Sequence, residues 1–212
     1  MTDLTFYLDF ISPYAYLAFE TLPQTLLGHS YRVRYQPILF AAALQKNGQL
    51  GPAEIEGKRE WTFRQVQWLA HQAGVPLNLP KEHPFNPLPL LRLALACDEA
   101  GEPNRYVCET LFRHVWRGGQ SAVDATRLAA LRDQLAPVRD PDGVAVKDEL
   151  RARTQAALER GVFGVPTLTL GDQLFWGLDA LPMLRARLDG DAWFDGPCWD
   201  AAARIPSGVQ RR

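Results

Sequence analysis

The sequence has few cysteines, and none is placed as in redox or zinc-binding proteins. Its 212 residues include Cys97, Cys108 and Cys198, without a Cys-x-x-Cys motif and without a histidine at metal-ligand spacing. This set argues against a disulfide framework and against a structural zinc site. We therefore expect no metal site, a reducing cytoplasmic setting, and cysteines that act as small buried residues rather than as nucleophiles.

Long hydrophobic runs and an excess of charge of one sign are also absent. The apolar runs, such as residues 88–96, are broken by proline or arginine, and none approaches the ~20 residues of a membrane span. The first residues carry Asp3 and Asp9 without a basic segment, so we expect no secretory signal. The 23 Lys and Arg nearly balance 24 Asp and Glu, which argues against binding to nucleic acids and to anionic membranes.

The start of the chain has the pattern of a strand, a helix and a second strand. Residues 5–10 (TFYLDF) are apolar and aromatic, and residues 31–37 alternate large and polar side chains. Between them, Ser12 and Pro13 are typical of a helix N-cap and of a first helical residue. This order predicts a βαβ unit with two parallel strands.

Strand character returns near the end. Residues 167–170 and 173–176 flank a Gly-Asp pair, which predicts a β-hairpin, and residues 178–188 form a last helix. The tail from residue 189 onward is predicted to be irregular, with a mobile end.

A helical segment separates these two regions. Trp61 and Trp68 lie seven residues apart on one face of a predicted helix, and we expect them to be core residues, with an aromatic wall for a planar substrate as the alternative. Because sheet elements lie on both sides of this segment, we predict an α/β, thioredoxin-like fold with a large inserted helical domain. Residues 1–38 and 125–212 would form a discontinuous thioredoxin-like domain, and residues 39–124 an all-helical insertion.

The start of the first helix is where redox proteins of this fold carry Cys-x-x-Cys, because free N–H groups there stabilise a thiolate. Residues 12–15 read SPYA, which excludes dithiol exchange by this window. A thiol must then be supplied by a small molecule, and glutathione is the obvious candidate. Val165-Pro166, directly before a strand, fits the cis-proline loop that faces this helix and can pair with an extended peptide.

Two stretches resemble one family in particular. FYLDFISPYAYLA and GVFGVPTLTLGDQLFWGLDALPML resemble the 2-hydroxychromene-2-carboxylate isomerase family, which is related to kappa-class glutathione transferases and has a DsbA-like thioredoxin fold. The resemblance extends over residues 4–188 and includes GPAEIEGKREWTFRQVQWLAHQAGVPL and the His-Pro-Phe-Asn segment that starts at His83. It implies glutathione as cofactor, a small aromatic substrate and a homodimer.

The resemblance also implies roles for particular residues. Ser12 would be the catalytic serine. Asp179, expected at the start of the last helix, would help to hold the charged glutamyl end of glutathione. The residues implied in glutathione binding are Val165, Pro166, Trp176, Gly177, Leu178 and Asp179, and those implied in substrate contacts are Tyr14, Leu44, Glu54, Ile55, His83 and Asn86.

The chain departs from the family in the substrate half of the site. The family's lysine, Asn-Arg pair and tyrosine align with Leu44, Glu54-Ile55 and His83, so the basic groups that hold a substrate carboxylate are missing there. Replacements for them could come from Lys46, Lys58 or Arg59.

The family reaction interconverts 2-hydroxychromene-2-carboxylate and trans-o-hydroxybenzylidenepyruvate. The expected steps are reversible addition of the glutathione thiolate, rotation about the bond that has become single, and elimination. The alternatives are a kappa-like glutathione transferase or glutathione-linked oxidoreductase, and a non-catalytic thioredoxin-fold binding module. In the simplest structural interpretation, Ser12 and Asp179 are only helix caps and Trp176 is only a core residue.

Overall fold

The centre of the fold is a four-stranded sheet. Its strands are β1 (Thr2–Leu8), β2 (Tyr31–Pro37), β3 (Thr167–Leu170) and β4 (Gln173–Trp176), and they lie in the order β2-β1-β3-β4. The computed structural model describes residues 1–206 and residue 208 of the chain. Strands β1 and β2 are parallel and β1 and β3 are antiparallel, while β3 and β4 form an antiparallel hairpin. The predicted parallel pair and the predicted hairpin are therefore confirmed.

Helix α1 (Pro13–Thr25) connects the two parallel strands, and its start follows from local chemistry. Ser12 has extended backbone angles, and its Oγ accepts a hydrogen bond from Ala15 N at 3.2 Å. Pro13 has no N–H to leave unpaired, so it is favourable at the first helical position. This cap holds Ser12 at the junction between the sheet and the helix.

The remaining helices cover the sheet and build the segment between β2 and β3. In the part of the chain that the structure describes, no helix has the length and apolar character needed to cross a membrane. The helices are α2 (Phe40–Lys46), α3 (Lys58–Ala73), α4 (Leu88–Ala96), α5 (Arg105–Trp116), α6 (Ala125–Leu135), α7 (Val144–Glu159), α8 (Leu181–Leu188) and α9 (Pro197–Ala202).

The end of the chain is more ordered than the sequence predicts. A 3₁₀ turn at Ala192–Asp195 and helix α9 lie in the tail that was expected to be irregular. Aromatic rings stabilise this part: Trp199 lies 5.3 Å from Phe194, centroid to centroid. The expectation of a mobile end falls on residues 207 and 209–212, which lie outside the described part.

The helical segment packs directly on the sheet and on α1. Phe112 of α5 contacts Phe10 and Phe19, with ring centroids 4.9 and 5.2 Å apart. Trp116 is fully buried and donates its indole N–H to Phe10 O at 2.9 Å. Residues from both parts of the chain thus share one hydrophobic core. The division into a thioredoxin-like domain and an inserted domain stays a prediction.

The two tryptophans of α3 do not lie in the core, so that prediction is wrong. Trp61 is 63% exposed and Trp68 is 59% exposed. The buried positions are Thr62, Val66 and Ala70, which follow each other at four-residue intervals along the neighbouring face. A seven-residue spacing places two side chains on one face of a helix, but it does not decide which face is buried.

Candidate active site

A cavity of about 740 Å³ opens beside the start of α1. Its walls come from the β1–α1 turn, from α2, from the start of α3, and from the loops that precede α4 and β3. The structure brings together at this cavity most of the residues that the sequence singled out. Those that line it are Ser12, Tyr14, Leu44, Glu54, Ile55, His83, Val165 and Trp176.

Ser12 and Val165 face each other at the cavity. The Val165–Pro166 peptide bond is cis, as the sequence predicts, and Ser12 Oγ lies 3.5 Å from Val165 O. No described residue forms a hydrogen bond with the N–H of Val165. The Ser12 hydroxyl oxygen caps α1. Because the 3.5 Å contact with Val165 O is too long for a strong hydrogen bond, the hydroxyl hydrogen is available to another acceptor in the cavity. Ser12 is therefore an N-cap that also faces the cavity.

Trp176 lies at the rim of the cavity and not in the core. Its side chain is 53% exposed, and its ring contacts that of Phe163 with centroids 4.9 Å apart. The indole crosses the backbone of Gly164, where an added Cβ would lie 2.5 Å from Trp176 Nε1. Glycine is thus required at position 164 for the indole to occupy this place. Sequence reasoning missed Phe163, whose signal is a large apolar residue beside Gly164 just before Val165-Pro166.

Four residues implied in glutathione binding lie beside the cavity without lining it. Pro166 is buried, and its carbonyl accepts a hydrogen bond from Gly177 N at 2.9 Å. Leu178 is partly buried against the core. Asp179 is exposed and lies in a 3₁₀ turn before α8, not in the first turn of α8 as expected. Burial is the main cause of the raised pKa of Tyr14, and the negative charge of Asp179 raises it further, so Asp179 acts electrostatically on the start of α1.

Asn86 does not line the cavity. Its side chain is exposed, and its Oδ1 accepts a hydrogen bond from Leu88 N at 3.1 Å, at the first residue of α4. This hydrogen bond gives Asn86 a structural role, which is to stabilise the start of α4.

His83 connects the loop before α4 to the turn that carries the serine. Its Nε2 lies 2.8 Å from Ile11 O, which assigns the ring proton to Nε2. Burial lowers the pKa of His83, opposed by the hydrogen bond to Ile11, and the charge of Arg59 lowers it further. The ring packs against Phe63 with centroids 5.3 Å apart, and Nδ1 is buried without a described partner. The neutral imidazole therefore positions Ile11, the residue before Ser12.

Asp9 forms the floor beneath this turn. Its carboxylate accepts hydrogen bonds from Ile11 N at 3.1 Å and from Phe40 N, the first residue of α2, at 2.9 Å. Complete burial raises the pKa of Asp9 to about 7, against the backbone hydrogen bonds that lower it. Asp9 thus links the end of β1 to the start of α2 and to the serine turn. The sequence singled it out only as an acidic residue near the N-terminus.

Tyr14 and Thr62 form a polar part of the wall. The Tyr14 hydroxyl donates to Gln65 Oε1 at 2.7 Å. Burial raises the pKa of Tyr14, a hydrogen bond with Thr62 lowers it, and Asp179 raises it. The phenol thus remains protonated at neutral pH. Thr62 was not identified from the sequence, where a threonine inside an amphipathic helix carries no distinctive signal.

The three candidate cations occupy different places. Lys58 lines the cavity. Lys46 does not, because its Nζ donates to Leu158 O at 2.8 Å. Arg59 lies close enough to His83 to lower the pKa of that imidazole, but it is outside the cavity lining. Of the three, Lys58 is the one positioned to meet a ligand in the cavity.

No cysteine lines the cavity. Burial raises the pKa of the Cys97 thiol to about 11 and raises that of Cys108 as well, so both are unreactive near neutral pH. Cys108 is buried, but Cys97 is half-buried and Cys198 is exposed, so the expectation of buried cysteines is confirmed only for Cys108. Within the described residues, no group of three or more His, Cys, Asp or Glu side chains could hold a metal ion.

The sequence of the chain is similar to those of known proteins over most of its length. The model of the DSBA-like thioredoxin domain matches residues 3–189. A 2-hydroxychromene-2-carboxylate isomerase from Pseudomonas putida is 30% identical over 191 residues, which cover 86% of this chain and 92% of that protein. Glutathione S-transferase kappa 1 from Rattus norvegicus is 26% identical over 212 residues, covering 92% of this chain and 93% of the relative.

A solved structure of 2-hydroxychromene-2-carboxylate isomerase has the same fold. It superposes with a TM-score of 0.77 at 26% identity, covering 96% of this chain and all of the other. Sequence family, relatives and fold therefore agree, and the chain belongs to the DSBA-like thioredoxin domain family, among the enzymes related to the 2-hydroxychromene-2-carboxylate isomerases.

Proposed function

We propose that the protein is a glutathione-dependent isomerase of 2-hydroxychromene-2-carboxylate or of a similar intermediate of aromatic degradation. The observation that carries this proposal is the position of Ser12. Its hydroxyl lies at the start of α1, at the wall of a large cavity, across from Val165. The isomerases among the relatives of the chain support the same reaction class.

The residues at the cavity fit glutathione. The backbone of Val165 has a free N–H and a carbonyl at the wall, which is the donor and acceptor pair that an extended peptide uses. Beside it, the exposed indole of Trp176 offers an apolar surface to the tripeptide. Asp179 is an exposed carboxylate at the same end of the sheet, suited to a ligand amino group. These groups would hold glutathione with its sulfur towards Ser12.

When bound, glutathione would supply a nucleophilic thiolate for reversible addition to the conjugated chain and would not be consumed. The protein's part is to stabilise the sulfur negative charge and to orient the substrate. Ser12 would donate its hydroxyl hydrogen towards the sulfur, and the positive end of the α1 dipole would add a favourable potential. Apolar side chains such as Leu44, Ile55 and Phe40 would offer an apolar surface to the aromatic part of the substrate.

The decisive experiment measures whether glutathione is consumed. An isomerase requires glutathione in catalytic amounts and returns it unchanged, so turnover of a chromene-carboxylate substrate should continue far beyond one equivalent. Loss of one thiol per turnover would instead identify a transferase or a glutathione-linked oxidoreductase. Absence of calorimetric binding of glutathione would identify a non-catalytic binding module.

A kappa-like glutathione transferase is the second candidate. The observation that favours it is the composition of the wall: Leu44 and Ile55 line the cavity, at positions where the resemblance places basic groups of the isomerase family. An apolar cavity of this kind also suits a neutral electrophile. The similarity to the rat kappa enzyme extends over the same length of chain. Stoichiometric conjugation of a neutral aromatic electrophile would support this function.

We also propose a cytoplasmic homodimer. The cysteines are unpaired, as expected in a reducing compartment. The exposed tryptophans of α3, Trp61 and Trp68, present an apolar surface that a second copy of the chain would cover. Light scattering after size exclusion should give a dimer mass for the wild type and a monomer mass for the Trp61→Glu/Trp68→Glu variant. A monomeric wild type would contradict the proposal.

A further inference from the structure

We propose that Lys58 and Thr62 form a subsite for a carboxylate of the substrate, in place of the basic residues that this chain lacks. The inference rests on the proposed function, because it assumes that the cavity holds the substrate. What it adds is the place of the substrate carboxylate, at the start of α3.

The first step of the argument is the charge of the cavity wall. Among the residues that line the cavity, Lys58 is the single lysine and there is no arginine. Its ammonium group forms no salt bridge with any residue of the described chain. By contrast, Lys46 uses its Nζ to bind Leu158 O. Lys58 is therefore a cation at the cavity that internal contacts do not occupy.

The second step is the position of Lys58 on its helix. Lys58 is the first residue of α3, and Thr62 follows four residues later, so both side chains lie on one face, about one turn apart. Thr62 lines the cavity, as Tyr14 does, and is 8% exposed. The dipole of α3 adds to the positive charge of Lys58. A polar strip thus leads from Tyr14 through Thr62 to Lys58.

The third step concerns the groups opposite and beside this strip. Leu44 and Ile55 line other parts of the wall and favour an aromatic ring. Two carboxyl groups also line the cavity and would repel a substrate carboxylate when ionised: Asp9, which accepts hydrogen bonds from Ile11 N and Phe40 N, and Glu54. Glu54 Oε2 accepts a hydrogen bond from Gly51 N at 2.6 Å, which holds that carboxylate towards its own 3₁₀ turn. A ligand with an aromatic body and one anionic end therefore fits this cavity with its anion at Lys58.

The kinetic test compares two substrates that differ in the carboxylate. They are trans-o-hydroxybenzylidenepyruvate and trans-o-hydroxybenzylideneacetone, in which a methyl ketone replaces the keto acid. Lys58→Met should raise the KM for the keto acid about tenfold, change its kcat less than about twofold, and leave the ketone unaffected. Lys58→Arg should restore the KM. Lys81→Met, at an exposed lysine outside the cavity, is the matched control and should behave as wild type.

A binding measurement keeps the inference testable apart from turnover. Calorimetry with trans-2-hydroxycinnamate and its methyl ester should show that Lys58→Met weakens binding of the acid about tenfold but not of the ester. Equal effects on both ligands, or weaker binding of glutathione instead, would overturn the subsite. If the wild type turns over neither substrate, the proposed isomerase function fails, while the two cinnamates still decide the role of Lys58.

Discussion

The Ser12 hydroxyl lies 3.5 Å from the carbonyl oxygen of Val165, across the groove between the start of α1 and the loop before β3. The hydroxyl oxygen of Ser12 also caps α1, because it accepts a hydrogen bond from Ala15 N. One side chain therefore has a structural role and a proposed chemical role. The two roles predict different consequences of its removal, because a cap affects stability and a thiolate donor affects rate.

Ser12→Ala should lower turnover at saturating glutathione by about 10²-fold and change glutathione affinity much less. The reason is that, in the proposed site, the backbone of Val165 and the Trp176–Asp179 stretch hold the tripeptide, whereas Ser12 acts on the sulfur. The lost cap should also cost about 1 kcal/mol of stability. Asn104→Ala is the control, because Asn104 caps α5 away from the cavity by accepting from Val107 N at 3.0 Å. Equal turnover of Ser12→Ala and wild type would mean that Ser12 is only a cap.

Ser12→Cys should form a mixed disulfide with oxidised glutathione. A thiol at a helix N-terminus has a lowered pKa and is therefore reactive near neutral pH. Mass spectrometry should show one added glutathione per chain, removed by a reducing agent, together with loss of isomerase turnover. In the wild type, the exposed Cys198 is the internal control for unspecific modification. A variant that gains no more glutathione than wild type would argue against glutathione at this site.

Gly164→Ala should weaken glutathione binding about tenfold, because the added Cβ would lie 2.5 Å from Trp176 Nε1 and displace the indole. The double-mutant cycle with Trp176→Ala isolates this effect. In the Trp176→Ala background no indole remains to be displaced, so Gly164→Ala should have little further effect on the Kd. The same tenfold loss in both backgrounds would show that position 164 acts without Trp176.

Asp179→Ala should weaken glutathione binding and leave the fold intact, because Asp179 is exposed and would pair with the ligand amino group. Asp172→Ala is the matched control: it removes another exposed carboxylate, in the turn between β3 and β4. Calorimetric titration with glutathione distinguishes the two variants. An unchanged Kd for Asp179→Ala would assign Asp179 to local structure alone.

Features that depend on neighbours in the chain could be predicted from the sequence. Ser12-Pro13 is a local helix-start signal, and a Gly-Asp pair between two apolar runs is a local hairpin signal; both are confirmed. The position of Ser12 opposite Val165 was predictable as well, because the order of strands and helices specified a known fold. Fold and the centre of the site therefore followed from pattern and resemblance together.

Features that depend on tertiary contacts were not accessible in this way. Asp9 became a buried acceptor because the start of α2 folds back over β1 and brings Phe40 N to its carboxylate. Thr62 became part of the cavity because α3 buries the face beside its tryptophans. Tertiary packing determines which face of the helix is buried, and the periodicity of the sequence does not. The spacing of residues in a single sequence does not predict these contacts.

The buried carboxyl of Asp9 should leave a signature in the pH dependence of stability. Its pKa in the folded protein is raised to about 7, whereas in the unfolded chain it is about 4. Between these values the folded protein holds a proton that the unfolded chain has lost. This group therefore makes the free energy of unfolding decrease as pH rises, by up to about 1.4 kcal/mol per pH unit, with the full cost present above about pH 7.

Asp9→Asn should remove that slope. His83 and His114, whose pKa values are lowered by burial, have the opposite dependence, but they are present in both proteins and cancel in the difference. Urea unfolding at several pH values between about 5 and 8 should show the stability difference between wild type and Asp9→Asn shifting towards the variant as pH rises. A difference that does not depend on pH would show that Asp9 remains ionised in the folded protein, with its backbone N–H donors outweighing the cost of burial.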